Sequence, residues 1–79
     1  MKLSTVQQLV LEALADGKHR TRKEIQRAGH IKYPVLPVTM AALIRHGLVE
    51  VHVRLDPTTY TITQDGLSWL EAHNNKKGL

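Results

Sequence analysis

The chain has no cysteine and no phenylalanine among its 79 residues. Without cysteine it has no disulfide framework, thiolate metal site or cysteine nucleophile, and its composition leans toward a reducing compartment. Aromatic content is limited to one tryptophan and two tyrosines, so Trp69 is the one very large side chain available to a core. No apolar run approaches the ~20 residues needed to span a bilayer. The opening "MKLSTVQQLV" enters a polar–apolar alternation rather than a signal-peptide core, so a cytoplasmic protein is expected. Serine is scarce too. Ser4 sits where a helix cap belongs, and Ser68 lies on a helix with no base nearby in sequence. Glu12, Glu24, Glu50 and Glu71 fall on separate segments, and so small a chain leaves little room for a pocket of ~300 Å³ or more; an enzyme is not expected. The five histidines, His19, His30, His46, His52 and His73, include no pair at three- or four-residue helical spacing. Zinc needs three or four converging ligands, so neither a metal nor a cofactor is expected.

What the chain does carry is positive charge. Eleven Lys and Arg against seven Asp and Glu give a formal charge of +4, a balance that suits a polyanion because each neutralised phosphate releases counterions. The length allows one domain, expected over 1–73, with a flexible basic tail over 74–79. A domain this small buries only ~60% of its unfolded surface, so nearly every large apolar residue is needed in one core.

Ser4 with Gln7 forms a capping box. Val6, Leu9, Val10, Ala13 and Leu14 then recur at helical spacing, and Gly17 is the expected stop. "TRKEIQRAG" repeats this grammar: Thr21 and Glu24 cap, Ile25 and Ala28 face inward, and Gly29 ends the helix. A third helix is expected from about Pro34 to Arg45, with Pro34 or Pro37 in its first position. Its core side holds Leu36, Met40, Leu43 and Ile44, and its outer side Val38, Ala41, Ala42 and Arg45. Past Gly47 the period falls from 3.6 to 2. Val49, Val51, Val53 and Leu55 alternate with Glu50, His52 and Arg54 as in a half-buried strand. "DPTT" turns the chain, and "YTIT" returns with Tyr60 and Ile62 inward. Thr63 caps a last helix from Gln64 to about His73, with Leu67, Trp69 and Leu70 as its apolar content. Trp69 either completes the core or, with Val6 and Leu11, forms a dimer seam.

This order predicts an α+β chain of three helices, a two-stranded β-hairpin wing and a C-terminal helix, the winged helix-turn-helix arrangement. The segment "MAALIRHGLVEV…RLDPTTYTITQDGLSWLEAH" resembles MarR-like, PadR-like and related small bacterial winged-helix regulators. The carrying features are Leu43, the Gly47-Leu48-Val49 step, and Tyr60, Ile62, Thr63 and Gly66 in a Y-x-(L/I)-T-x-x-G pattern. The likeness runs from Ser4 to His73. The single-domain length is also similar to small phage, plasmid and fimbrial-operon regulators.

The resemblance implies a transcriptional regulator that contacts double-stranded DNA through a recognition helix (about 34–45), a basic turn (18–23) and a wing (about 53–59). The turn "KHRTRKE" places Lys18, Arg20, Thr21, Arg22 and Lys23 around the start of the second helix, whose free N–H groups and partial positive charge favour phosphate. Such contacts position a protein and do not specify a sequence. Arg54 beside the wing tip either enters a minor groove or pairs with Asp56. Lys32 and Tyr33 precede the third helix and Arg45 ends it. Val35, Val38 and Ala42 occupy the positions that would enter the major groove. Arg, Asn and Gln, which read bases bidentately, are missing from its first two turns. Three readings follow: contact with thymine methyl groups; an apolar patch of Pro34, Val35, Val38 and Ala42 that binds a partner protein, making the chain a protein-interaction module; or a helix rotated by one position. The resemblance also allows a homodimer on a pseudo-palindromic site.

Overall fold

The computed structural model describes residues 2–53 and 57–74, without the side chains of Tyr33 and Asn74. Along the chain run α1 (Thr5–Ala13), α2 (Arg22–Gly29), a 3-10 turn (Tyr33–Val35), α3 (Leu36–Arg45), β1 (Val49–His52), β2 (Thr59–Ile62) and α4 (Gln64–Asn74). The expected winged helix-turn-helix order is present.

Both capping boxes form. Ser4 Oγ accepts the Gln7 N–H at 3.2 Å while Gln7 Oε1 accepts the Ser4 N–H at 2.8 Å. Thr21 and Glu24 do the same at 3.2 and 2.8 Å. Each pair satisfies two N–H groups that a helix start otherwise leaves open.

The ends of α2 and α3 are two copies of one motif with different residues at the critical place. After α3, Gly47 takes φ 75°, its N–H reaches the Ile44 carbonyl, and the Leu48 N–H reaches back to Leu43, each at 3.0 Å. Leu48 then drops into the core. This is a Schellman closure, in which a left-handed residue lets its own N–H and that of its successor fold back, and the successor seals the end. After α2 the same bonds run from His30 to Arg27 (3.4 Å) and from Ile31 to Gln26 (3.0 Å), and Ile31 is buried. Here the left-handed residue is His30, at φ 52°, and not Gly29 as the sequence suggested. Gly29 lies inside the helix and is buried, whereas Ala28, expected inward, is exposed. A Cβ at Gly29 would lie 2.7 Å from Ile31 Cδ1, so this glycine is used for the close seating of Ile31.

Neither proline takes the first position of α3, which falls to Leu36. Pro34 sits in the 3-10 turn, and Pro37 is the second residue of α3, where its missing N–H leaves no ladder bond unmade. Leu36, Met40 and Leu43 are buried and Val38 and Ala41 exposed, so the expected rotation of the helix is correct.

β1 and β2 pair antiparallel in the register Val49–Ile62 to His52–Thr59. A further bridge, not anticipated, joins Arg20 to Tyr60 on the other edge of β2, through N–H···O bonds of 3.1 and 2.8 Å. This single bridge lays the chain at Arg20 along the free edge of the two-stranded hairpin. Val53, expected inward, is 70% exposed because β1 ends at His52. Leu55 and Asp56 lie outside the described residues, as does the expected tail beyond Asn74. Thr63 caps α4 as expected and does more: its hydroxyl accepts the Gly66 N–H at 3.1 Å and donates to the Gly47 carbonyl at 2.7 Å.

The core lies between the helices and the inner face of the hairpin. α1 occupies its centre, packing on α2, α3 and α4. Covered on several sides, it buries Leu11 completely, together with Val10 and Leu14. Leu11 is thus a core residue, not a member of a dimer seam. Val6 and Trp69 pack half-buried against the same core. Trp69 also stacks on His73 at 3.7 Å, and that histidine's Nδ1 lies 2.8 Å from the Trp69 carbonyl.

Candidate nucleic-acid interface

The basic turn divides into inward and outward residues. Lys18, Arg22 and Lys23 are exposed, whereas Arg20 and Thr21 are half-buried. Thr21 is occupied as the α2 cap. The Arg20 guanidinium turns back under α1, where Nε donates to the Ala13 carbonyl at 2.9 Å and Nη2 donates to Asp16. Ala13 ends α1, so its carbonyl lacks a helical partner and carries partial negative charge, which a cation satisfies. With its backbone bridged to Tyr60, Arg20 joins α1, α2 and the wing. The cations of this turn that point away from the protein are Lys18, Arg22 and Lys23.

An open groove of about 440 Å³ lies between the start of α2 and the wing, lined by Thr21, Arg22, Lys23, Pro57, Thr58 and Tyr60. The tertiary fold thus brings the basic turn beside the returning limb of the wing, 34 or more residues away in sequence. Nothing local in the sequence distinguishes Pro57 and Thr58 as groove residues. The "DPTT" turn marked a bend but gave no sign of what it would face. A second open groove, about 500 Å³, lies between α1 and the end of α2, lined by residues including Leu9, Glu12, Asp16, Arg20 and His30. The small chain therefore has more concave surface than its length suggested, although both grooves are open.

On the outer face of the wing root, His19 and His52 pack with ring centroids 4.5 Å apart. His19 Nδ1 lies 3.0 Å from Thr59 Oγ1, and His52 Nε2 lies 2.8 Å from Thr61 Oγ1 and 3.6 Å from Glu50. Strand alternation foretold the outward side of Glu50 and His52. His19 joins them only because the Arg20–Tyr60 bridge lays its segment alongside β2. Among the described residues no group of three or more His, Cys, Asp or Glu is placed to hold a metal ion.

The outer face of α3 is apolar at its centre and basic at its ends. Val35 is 42% exposed and Val38 73%; Ala41 is exposed and Ala42 half-buried. Thr39 is 6% exposed, and its hydroxyl donates to the Val35 carbonyl at 2.9 Å. Lys32 before the helix and Arg45 at its end are both exposed. No Asp or Glu occurs between Glu24 and Glu50, so the connection into α3 and the whole of that helix lack carboxylates. The Tyr33 side chain and all of Arg54 fall outside the described part, and their expected contacts with them. Among the described residues no helix is long and apolar enough to cross a membrane.

No family model matches the chain and no curated protein matches its sequence. Solved structures do match its shape. Bordetella bronchiseptica BpsR, whose DNA binding is regulated by 6-hydroxynicotinic acid, superposes with a TM-score of 0.80 at 28% identity, over 90% of this chain and 52% of that one. S. aureus MepR in complex with DNA gives 0.75 at 20% identity, over 92% and 63%. MepR bound to ethidium bromide gives 0.76 at 21% identity, over 95% and 57%. This chain therefore spans between about half and two thirds of those proteins, and the likeness is to DNA-binding regulators, not to enzymes. With its three helices, hairpin wing and closing helix, the chain has the winged helix-turn-helix fold of MarR-type DNA-binding regulators.

Proposed function

We propose that this chain binds duplex DNA as a cytoplasmic transcriptional regulator, with α3 in the major groove, Lys18, Arg22 and Lys23 on the phosphate backbone and the wing over the neighbouring minor groove. The observation that carries this is the outer surface of α3: a helix held off the core on one side, basic at both ends, and free of carboxylates from Glu24 to Glu50. In helix-turn-helix proteins the second helix of the motif enters the groove while the first crosses the backbone. That placement gives the exposed cations at the start of α2 a positioning role. Arg54 beside the wing tip and Tyr33 ahead of α3 are further candidate contacts by their place in the sequence. The fold shared with BpsR and MepR supports DNA over a partner protein as the occupant of this surface. Two copies on a pseudo-palindromic site would add the affinity that one small module lacks.

The test is fluorescence anisotropy on a random duplex between about 50 and 200 mM salt, where each phosphate contact contributes roughly 0.9 to the slope of log K against log salt. Arg22→Ala and Lys23→Ala should each reduce that slope by about 1 while leaving thermal stability unchanged. Binding that ignores salt, or a double variant with the wild-type slope, would remove the basis for the proposal.

A further inference from the structure

We infer that α3 recognises the C5 methyl groups of thymine, with Val38 as the reading side chain and Val35 and Ala41 flanking it. This rests on the DNA-binding reading above and adds what the helix reads. From Leu36 to Ala42 there is no Arg, Lys, Asn, Gln, Asp or Glu, and Thr39 is the one residue with a hydrogen-bonding side chain. Its hydroxyl is buried and donates to the Val35 carbonyl, which removes it from base recognition. The surface left to meet a base edge is aliphatic, dominated by Val38 at 73% exposed.

In the major groove each base edge offers hydrogen-bond donors and acceptors, and thymine alone adds a methyl group. That group is what an aliphatic surface can favour. Valine suits the task because its branched Cβ holds one dominant rotamer in a helix, so its methyls are fixed before the encounter. Charge argues for DNA as the occupant. Exposed Lys32 and Arg45 bracket the aliphatic centre, and no carboxylate stands between Glu24 and Glu50 to repel phosphate. The patch is also small. Two valines and an alanine fall short of the ~800 Å² per partner that a stable protein interface buries.

Removing one contacted methyl should weaken binding about fourfold, the equivalent of one buried methyl-sized group. The experiment starts with a duplex selected from a random pool by the full chain. Each thymine of that duplex is then replaced singly by deoxyuridine, which keeps the base pair and deletes the methyl. Anisotropy is measured with wild-type protein and with Val38→Ala, a change at an exposed position that the helix tolerates. One or two positions should lose about fourfold with wild-type protein, and that loss should shrink to under about twofold with Val38→Ala. Salt-dependent binding that is indifferent to deoxyuridine at every position overturns methyl readout and leaves DNA binding standing. A loss of equal size in wild type and Val38→Ala traces to duplex shape and also overturns it. If no duplex binds with salt dependence, both this inference and the reading beneath it fail.

Discussion

Gly66 offers the sharpest test of the packing, because local and tertiary reasoning predict opposite signs for one substitution. The residue lies in the first turn of α4, and an alanine there should stabilise a helix by up to ~1 kcal/mol relative to glycine. The tertiary structure says otherwise. A Cβ at Gly66 would lie 2.4 Å from the Leu48 carbonyl oxygen and 2.6 Å from Ile62 Cγ1. Ordinary contact begins near 3.4 Å, so the first approach is about 1 Å too short. The Leu48 oxygen is backbone and accepts the Thr63 N–H at 3.1 Å, so it cannot rotate aside as a side-chain tip would. Ile62 is buried. Moving α4 outward would stretch the Thr63 bonds to Gly47 and Gly66 that anchor its start. Overpacking of this kind costs about 1–3 kcal/mol. Set against the propensity gain, Gly66→Ala should be destabilised by roughly 1–2 kcal/mol, with each kcal/mol worth about 4–8 °C in Tm for a domain of this size. Gly29→Ala is the matched control. Its nearest obstruction is the tip of the Ile31 side chain, and the nearest backbone atom, the Leu9 oxygen, is 3.6 Å away. It should change stability by less than about 1 kcal/mol in either direction. Thermal and urea unfolding followed by far-UV circular dichroism would measure both. If Gly66→Ala proves as stable as wild type, or the two substitutions cost the same, the seating of α4 against Leu48 described here is wrong.

Arg20→Ala should lower stability by about 1 kcal/mol, a figure discounted because the side chain is partly exposed, and leave the salt slope of DNA binding unchanged. A slope that fell by about 1 would place the guanidinium on a phosphate and not on Ala13 and Asp16. His30→Gly should raise stability by roughly 0.5–1 kcal/mol, because glycine enters the left-handed region without the Cβ clash that histidine bears there; a drop in urea midpoint would contradict this account of the α2 end. Thr63→Val removes the acceptor for the Gly66 N–H and the donor to the Gly47 carbonyl, and should cost about 1–2 kcal/mol. Thr63→Ser should recover most of that loss in the same urea titration, and equal losses for the two variants would argue against the paired hydrogen bonds.

The features legible in the sequence are those whose partners lie within one helical turn or one strand repeat. The Ser4–Gln7 and Thr21–Glu24 boxes, the Gly47 closure, the inward Tyr60 and Ile62, and the rotation of α3 depend on neighbours a few residues away. The features that differ from the sequence pattern depend on distant chain. Leu11 is off the main apolar stripe of α1, yet it is buried because α2, α3 and α4 surround that helix. Gly29 has the sequence position of a helix stop, but its use is the close approach of Ile31, and His30 carries the left-handed turn. Arg20 looked like one more cation in a basic run. Its partners, the end of α1 and the far edge of β2, were invisible until the chain was folded.

The sequence by itself determined the order of elements, their caps and ends, and the aliphatic outer face of α3. Each follows from the 3.6- and 2-residue periods and from the few residue types that can start or stop them. Tertiary structure alone decided which cations face outward and which hold the fold together, what the wing lies beside, and that the Thr39 hydroxyl is unavailable to a base. The reason is physical. A side chain's exposure and hydrogen-bond partners are set by whatever distant segment packs over it, and neither composition nor spacing records that approach.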